Sequence, residues 1–288
     1  MRGAGAAPFR LLALDIDGTL LRNDKTISER THRALERARG EGTRLVLVTG
    51  RRYPSALRVA DQLGGKIPLI LHNGALIIEE GEVTHRELLP ARVARKAIRV
   101  GRRAGADPVL HMGHQGEGRL VVEGAGRPSG TLLAYYLDKS HPDVRVVPDL
   151  EDALSEDPLQ VMFGGTIAEM DALLVPLEQE LKGEVRIERT VYNTLGVSLL
   201  DLLHPSCGKA RALRLLEERW EIPSEETLAI GDNWNDREML EGAGLGLVMG
   251  NADPALLRLG FPVLPTNDED GVAVALERYF FEGKRKEG

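Results

Sequence analysis

The 288-residue sequence predicts an α/β protein: a doubly wound parallel sheet interrupted by an inserted α+β block. Three observations predict it. The first and last thirds each alternate short apolar runs with helix-period segments, the pattern of βαβ units and a parallel sheet. The middle mixes strands and helices without that alternation. The polar residues that end the apolar runs fall at strand C-termini, where open α/β sheets bind ligands.

In order, FRLLALDI (9–16) is a short apolar run and a buried-strand candidate. SERTHRALERARGEG (28–42) is a helix with Ser28 as N-cap and Gly40 and Gly42 as stops. TRLVLVTG (43–50) is a second strand, PSALRVADQLGG (54–65) a helix opened by Pro54, and IPLILHNG (67–74) a third strand. IIEEGEVTHREL (77–88) reads as a hairpin turning at Glu80–Gly81. The middle holds helices at 91–105 and 167–181 and strands RLVVEG, VRVVP, LQVMFGG and EVRIERT. In the second of these helices Ile167, Met170, Leu174, Leu177 and Leu181 share a face that Leu173 borders. VSLLDLL (197–203) then resumes the strand pattern. Next come a helix at 208–220 with Ala210, Leu213, Leu216 and Trp220 on one face, a strand ETLAIGD (226–232), a helix at 235–244, a strand LGLVMG (245–250) and a closing helix at 271–280.

Hydrophobic residues make up 42% and charged residues 28%, a globular profile. The net charge of −7 and the lack of a basic block disfavour nucleic acid or an anionic membrane as partner. One cysteine, Cys207, forms no internal disulfide. The N-terminus reads poorly as a signal peptide, and no apolar run approaches the ~18 residues of a membrane span. A cytoplasmic protein, monomeric or a small homo-oligomer, is the expectation.

Four pieces carry chemistry: DIDGT (15–19), TGR (49–51), GK (208–209) and GDNWND (231–236), each at a strand end or helix start. Carboxylates in this number suggest a hard divalent cation. Adding a lysine and donor-rich turns suggests a phosphate held beside it. Neither a dinucleotide-binding glycine pattern nor a P-loop is present.

The order of these pieces resembles the haloacid dehalogenase superfamily of phosphohydrolases, and the tail GNADPALLRLGFPVLPTNDEDGVAVALERYF resembles its Cof-like branch with a large type IIB α/β cap. The resemblance implies a Rossmann-like catalytic core at 1–83 and 194–288, and a cap at 84–193 that selects substrate and acts as a lid. Connections near Gly81–Thr84 and Tyr192–Gly196 would be hinges. It implies Asp15 as nucleophile, Asp17 as general acid/base, and Lys209 as the cation that offsets charge between Asp15 and the phosphoryl group. It gives Thr49, Gly50 and Asn235 to the phosphate. Mg²⁺ falls to Asp15, Asp17 (through its backbone carbonyl), Asp232 and Asp236. Two departures stand out: Gly208 and Ala210 flank the lysine where the family often has serine and glycine, and Asp201 occupies a frequent glutamate position.

The expected reaction is Mg²⁺-dependent hydrolysis of a small phosphate monoester, a sugar phosphate or similar metabolite, through an aspartyl-phosphate. The alternatives are a phosphomannomutase-like phosphotransferase and a non-catalytic regulatory binding protein on the same fold. Candidate substrate contacts on the cap are His111, His114, Arg119 and the YYLDK segment. His111 and His114 lack the nearby ligands of a zinc site. Trp234 is open between facing substrate and packing.

Overall fold

The computed structural model describes residues 9–113, 115–116, 118–124, 143–192 and 195–281. His114 and YYLDK lie outside the described residues, as does part of the expected second hinge. The chain divides into two compact units: Met1–Arg51, Ser55–Glu82 and Gly208–Gly288 form the first, and Arg52–Pro54 and Val83–Cys207 the second.

The first unit is built on a seven-stranded sheet in the order β13-β12-β1-β2-β3-β4-β5. The strands are β1 (Leu11–Leu14), β2 (Arg44–Val48), β3 (Leu69–Leu71), β4 (Leu76–Glu79), β5 (Glu82–Arg86), β12 (Thr227–Gly231) and β13 (Leu245–Val248); of β5 only Glu82 falls in the first unit, and Val83–Arg86 in the second. β1 is parallel to β2 and β12, β12 to β13, and β2 to β3. β4 runs antiparallel to β3. Strands covered on both faces must be apolar throughout, and Leu11, Leu12, Ala13 and Leu14 are all buried. Alternate side chains, Leu11, Ala13, Val46, Val48, Ile70 and Ala229, join Leu213, Leu216, Met239 and Leu240 in one core cluster. The β4–β5 turn is Glu80–Gly81, both at positive φ, as a two-residue hairpin requires.

Helix Glu29–Gly40 starts where expected, with the Ser28 side chain accepting from the Thr31 N–H. Arg30 pairs with Glu277, and Arg37 lies 3.8 Å over the Phe281 ring, so this helix is tied to the C-terminal one. The expected single closing helix is α-helical over Gly271–Ala275 and widens to π geometry over Leu276–Phe281. Phe280 and Phe281 are buried there in edge-to-face contact. The helix read at 235–244 likewise opens as a 3₁₀ turn, Trp234–Asp236, before the helix Arg237–Gly242.

The second unit holds a six-stranded sheet in the order β10-β11-β9-β6-β7-β8. These are β6 (Val109–His111), β7 (Leu120–Glu123), β8 (Val144–Val147), β9 (Gln160–Thr166), β10 (Arg186–Tyr192) and β11 (Val197–Leu203). All neighbours are antiparallel except β7 and β8. Helices Ala91–Arg103 and Ile167–Glu180 cover one face, with Val93, Ala97, Phe163, Met170, Leu177 and Leu200 in its core. Leu173 is fully buried and Leu174 only partly, the reverse of the sequence reading. The two leucines lie about 100° apart around the helix, and the neighbouring elements decide which one the core takes.

The sequence reading also gave Val197–Leu203 to the first unit. The structure pairs it with β10 and β9, and the boundary falls between Cys207 and Gly208. An apolar strand satisfies its backbone equally well in either sheet. Here the short return from β10 sets its partner. Among the described residues no helix is long and apolar enough to cross a membrane.

Candidate active site

The site residues of the first unit sit at the C-terminal ends of β1, β2 and β12 and at the start of the helix Lys209–Arg219. Asp15 follows β1, its N–H bonded to the Ile230 carbonyl of β12 at 3.0 Å. Lys209 is almost fully buried; its Nζ donates to Asp15 Oδ1 at 2.7 Å and to Asp236 Oδ1 at 2.6 Å. The second oxygen of Asp236 accepts the N–H groups of Asp232 (3.0 Å) and Asn233 (2.9 Å). Asp236 is therefore a brace that fixes Lys209 and the turn after β12. Asp232 accepts from the Thr19 hydroxyl at 2.9 Å, which links it to the β1 turn.

Two glycines allow this packing. A Cβ on Gly18, whose φ is +80°, would meet Asp232 Oδ2 at 2.2 Å; one on Gly231 would meet the Asp236 side chain at 2.6 Å. Each is a place where only hydrogen fits.

Burial pushes the Asp15 carboxyl up to about 7, against the opposing pull of Lys209, with Asp236 adding to the rise. Burial, then the charges of Asp15 and Asp236, holds Asp232 well above the ordinary carboxylate range. Burial alone would lower Lys209, but Asp15 and Asp236 prevail and keep it firmly protonated. Asp17 behaves in the opposite way. Burial raises it, yet its two hydrogen bonds from Arg51 (Nε 2.6 Å, Nη2 2.7 Å) and that residue's charge, helped by Lys25, bring it below the usual range.

The donor set fits a divalent cation. Oxygen atoms of Asp15, Asp232 and Asp236 all lie within 4.8 Å of one another. Lys209 is the cation seated among them, so three ionised carboxylates would leave a negative excess that a hard, oxygen-seeking ion offsets. Burial raises Asp15 and Asp232 most, and the neighbouring carboxylates add to the rise. Beside this donor set, the Asn235 Oδ1 is buried with no hydrogen-bond partner.

Thr49 is buried after β2. Its Oγ1 accepts the Arg51 N–H at 3.2 Å, which leaves its hydroxyl proton to donate elsewhere. Gly50 follows it, and Asn235 donates to Asn73 Oδ1 at 3.0 Å. The structure thus gathers Asp15, Lys209, Asp232 and Asp236 into one cluster. Asp17 is held by Arg51, and Thr49, Gly50 and Asn235 are linked through Thr49, Arg51 and Asn73. Sequence reasoning gave no role to Thr19, Arg51 or Asn73. Arg51 ended a motif already singled out; Asn73 stood in an Asn-Gly turn at a ligand-binding strand end.

Of the remaining candidates, His111, Arg119, Asp201 and Cys207 belong to the second unit and Trp234 to the first. His111 is buried in β6 opposite Leu120 and Gln160, and half-exposed Arg119 pairs with Glu156 at 3.7 Å. Asp201 is buried in β11 and accepts from Gln160 Nε2 at 2.7 Å. Burial, with the charge of Glu87, pushes the Cys207 thiol up to about 12, so it stays a neutral, inert thiol. Trp234 is 40% exposed, with the Arg237 guanidinium 5.2 Å from its ring.

Comparison with known proteins identifies the family. The family described as haloacid dehalogenase-like hydrolase matches residues 12–276. The 5-amino-6-(5-phospho-D-ribitylamino)uracil phosphatase YitU of Bacillus subtilis is 29% identical over 280 residues, covering 94% of this chain and 97% of its own. A haloacid dehalogenase-like hydrolase of Bacteroides thetaiotaomicron superposes with a TM-score of 0.78 at 29% identity, covering 94% of this chain and all of its own. A subclass IIB sugar phosphatase superposes with a TM-score of 0.76 over 94% of this chain and 98% of its own; at 23% identity that likeness concerns the fold.

Proposed function

The chain belongs to the haloacid dehalogenase-like hydrolase family, and from that premise we propose that it hydrolyses a small phosphate monoester, with Mg²⁺, through an aspartyl-phosphate on Asp15. The observation that carries the reading is the buried Asp15–Lys209–Asp236 chain of charge with a second aspartate two residues beyond the first. A carboxylate so placed is a nucleophile beside its own counter-charge.

In the first step Asp15 Oδ attacks phosphorus and the bond from phosphorus to the leaving oxygen breaks. Asp17 gives that oxygen a proton. In the second step water attacks the phosphorus of the acyl phosphate, Asp17 takes the water's proton, and the bond from Asp15 to phosphorus breaks to release orthophosphate. Asp15 and Asp232, with the Asp17 backbone carbonyl, would hold Mg²⁺, and Asp236 braces them. When bound, the ion neutralises charge on the phosphoryl oxygens. Lys209 stays protonated throughout and offsets the charge shared between Asp15 and the phosphoryl group. Thr49, the Gly50 N–H and the second Nδ2 proton of Asn235 hold the phosphoryl oxygens. In the arrangement seen, the Arg51 fork keeps Asp17 ionised, which suits the second step. For the first, Asp17 has to acquire a proton and loosen from that fork.

The substrate is a phosphorylated sugar, polyol or similar metabolite. The relative YitU is named for a phosphoribityl compound, which agrees with this class. The second unit selects the leaving group, and His111 and Arg119 are its described candidates. The test is orthophosphate release from a panel of phosphorylated metabolites, with Mg²⁺ or EDTA, by the wild type and Asp15→Asn. Release that needs Mg²⁺ and disappears in the variant is expected. Isomer interconversion that needs an added bisphosphate would point instead to a phosphotransferase. No turnover of any member by folded protein would overturn the reading.

A further inference from the structure

The turn after β3 takes part in no step above, yet three site segments of the first unit meet on it. His72, Asn73 and Gly74 stand in succession at φ +49°, +51° and +97°. The His72 N–H donates to the Arg51 carbonyl at 3.2 Å and the Asn73 N–H to the Thr49 carbonyl at 3.1 Å, which fixes the β2 turn. A Cβ on Gly74 would stand 2.4 Å from the Gly208 carbonyl oxygen, so the turn also abuts the residue before Lys209. The Asn73 side chain is wholly buried. It lies against Gly50, where an added Cβ would be 3.2 Å from Asn73 Oδ1 and 3.3 Å from Nδ2. It also accepts from Asn235 Nδ2 at 3.0 Å.

We propose that Asn73 is a positioning residue of the phosphate pocket: wedged between Gly50 and Asn235, its carboxamide fixes which edge of the Asn235 amide faces the ligand. This rests on the reading of Asn235 as a phosphate contact. A primary amide offers a donor edge and an acceptor edge that differ little in shape. A phosphate oxygen accepts hydrogen bonds, so only one orientation is productive. Asn73 Oδ1 takes one Nδ2 proton of Asn235, which commits the nitrogen to this side and leaves its second proton to donate. The backbone explains the choice of residue. Among side chains able to accept here, asparagine is one of the few that visits the left-handed region readily, and the turn holds it there.

Asn73→Gly removes the carboxamide while glycine takes the same φ without steric cost. Orthophosphate inhibition constants, KM and kcat are measured for the wild type, Asn73→Gly, Asn235→Ala and the double variant, with melting temperatures alongside. We expect Asn235→Ala to weaken orthophosphate about tenfold and Asn73→Gly about three- to fivefold. The double variant should be no weaker than Asn235→Ala within about twofold, because Asn73 acts through Asn235. If the two losses multiply, or if Asn73→Gly lowers the melting temperature and leaves orthophosphate binding intact, the proposal is overturned and the phosphate reading stands. If Asn235→Ala leaves orthophosphate binding unchanged, the phosphate reading fails and the proposal falls with it. The wild type supplies a reading that needs no change at position 73. The Asn235 Nδ2 protons, assigned by their loss in Asn235→Ala, should show one slowly exchanging member. Two protons exchanging as fast as those of an exposed asparagine would refute the bond.

Discussion

The Asp15 and Asp17 carboxyls stand two residues apart and are pushed in opposite directions, Asp15 up to about 7 and Asp17 below its ordinary value. Each shift has a measurable consequence. A carboxyl that titrates near 7 is protonated at pH 6, so a cation binding there must displace a proton. Mg²⁺ affinity of the metal-free protein should rise with pH through about 7, with the raised Asp232 adding to the dependence. Calorimetric titrations at pH 6 and pH 8 in buffers of different ionisation enthalpy should show more proton release at the lower value. For Asp17 the sign is reversed. Arg51 depresses its pKa, so Arg51→Ala raises it, and the hydrolysis of the phosphoenzyme, which needs the ionised form, should fail at a higher pH than in the wild type. Single-turnover rates across pH test this; an unmoved profile would mean that Asp17 is not the base. Gly18 gives a steric counterpart. A methyl there would lie 2.2 Å from Asp232 Oδ2 on a left-handed backbone, so Gly18→Ala should weaken Mg²⁺ by more than about tenfold and cost about 1–2 kcal/mol of stability, read by Mg²⁺ titration and thermal melting. The acidic motif and the lysine were legible in the sequence because their spacing is local and their charges sit in apolar surroundings. Arg51 and Asn73 were not assigned, because what they do depends on partners at Asp17 and Asn235, far along the chain, and pairing across a fold leaves no spacing to read.

Elements were legible to the extent that their punctuation is local. Ser28, the Glu80–Gly81 turn and Gly42, Gly64 and Gly65 act as read, while Gly40 is the last residue inside its helix. Helix Ile167–Glu180 begins with a reciprocal cap, the Thr166 hydroxyl accepting from the Glu169 N–H and Glu169 accepting from the Thr166 N–H. Thr166→Ala should cost about 1 kcal/mol, measured by denaturant unfolding. What patterning missed was choice among equals. Leu173 and Leu174 are equally apolar, and only the contours of β9, β11 and the helix Ala91–Arg103 decide which is buried. Val197–Leu203 is buried along its whole length, and a strand without alternation carries no mark of the sheet it will join.

At the scale of the molecule, the clustered carboxylates Asp15, Asp232 and Asp236 all belong to the first unit. A ligand stabilises what it binds, by about 2.7 kcal/mol at a hundred times its dissociation constant. Scanning calorimetry with Mg²⁺ and with EDTA should therefore resolve two transitions, of which Mg²⁺ moves one. A single transition shifting as a whole would show that the units unfold together. The division into a parallel-sheet unit and an inserted unit was legible from the alternation of elements; the position of the second junction was not, for the reason given by β11. The sheet order has a further consequence during synthesis. β1 lies between β2, made soon after it, and β12, made near the end of the chain. The inserted unit is nearly continuous in sequence and can condense as it leaves the ribosome. The strand that carries Asp15 keeps one edge unpaired all that while, exposed to wrong partners until β12 arrives. Refolding from denaturant removes that order of arrival but keeps the long separation between β1 and β12 along the chain, whose closure is slow, so the last, slow phase of refolding should be the docking of β12 on β1, and the appearance of activity should follow that phase and no earlier one.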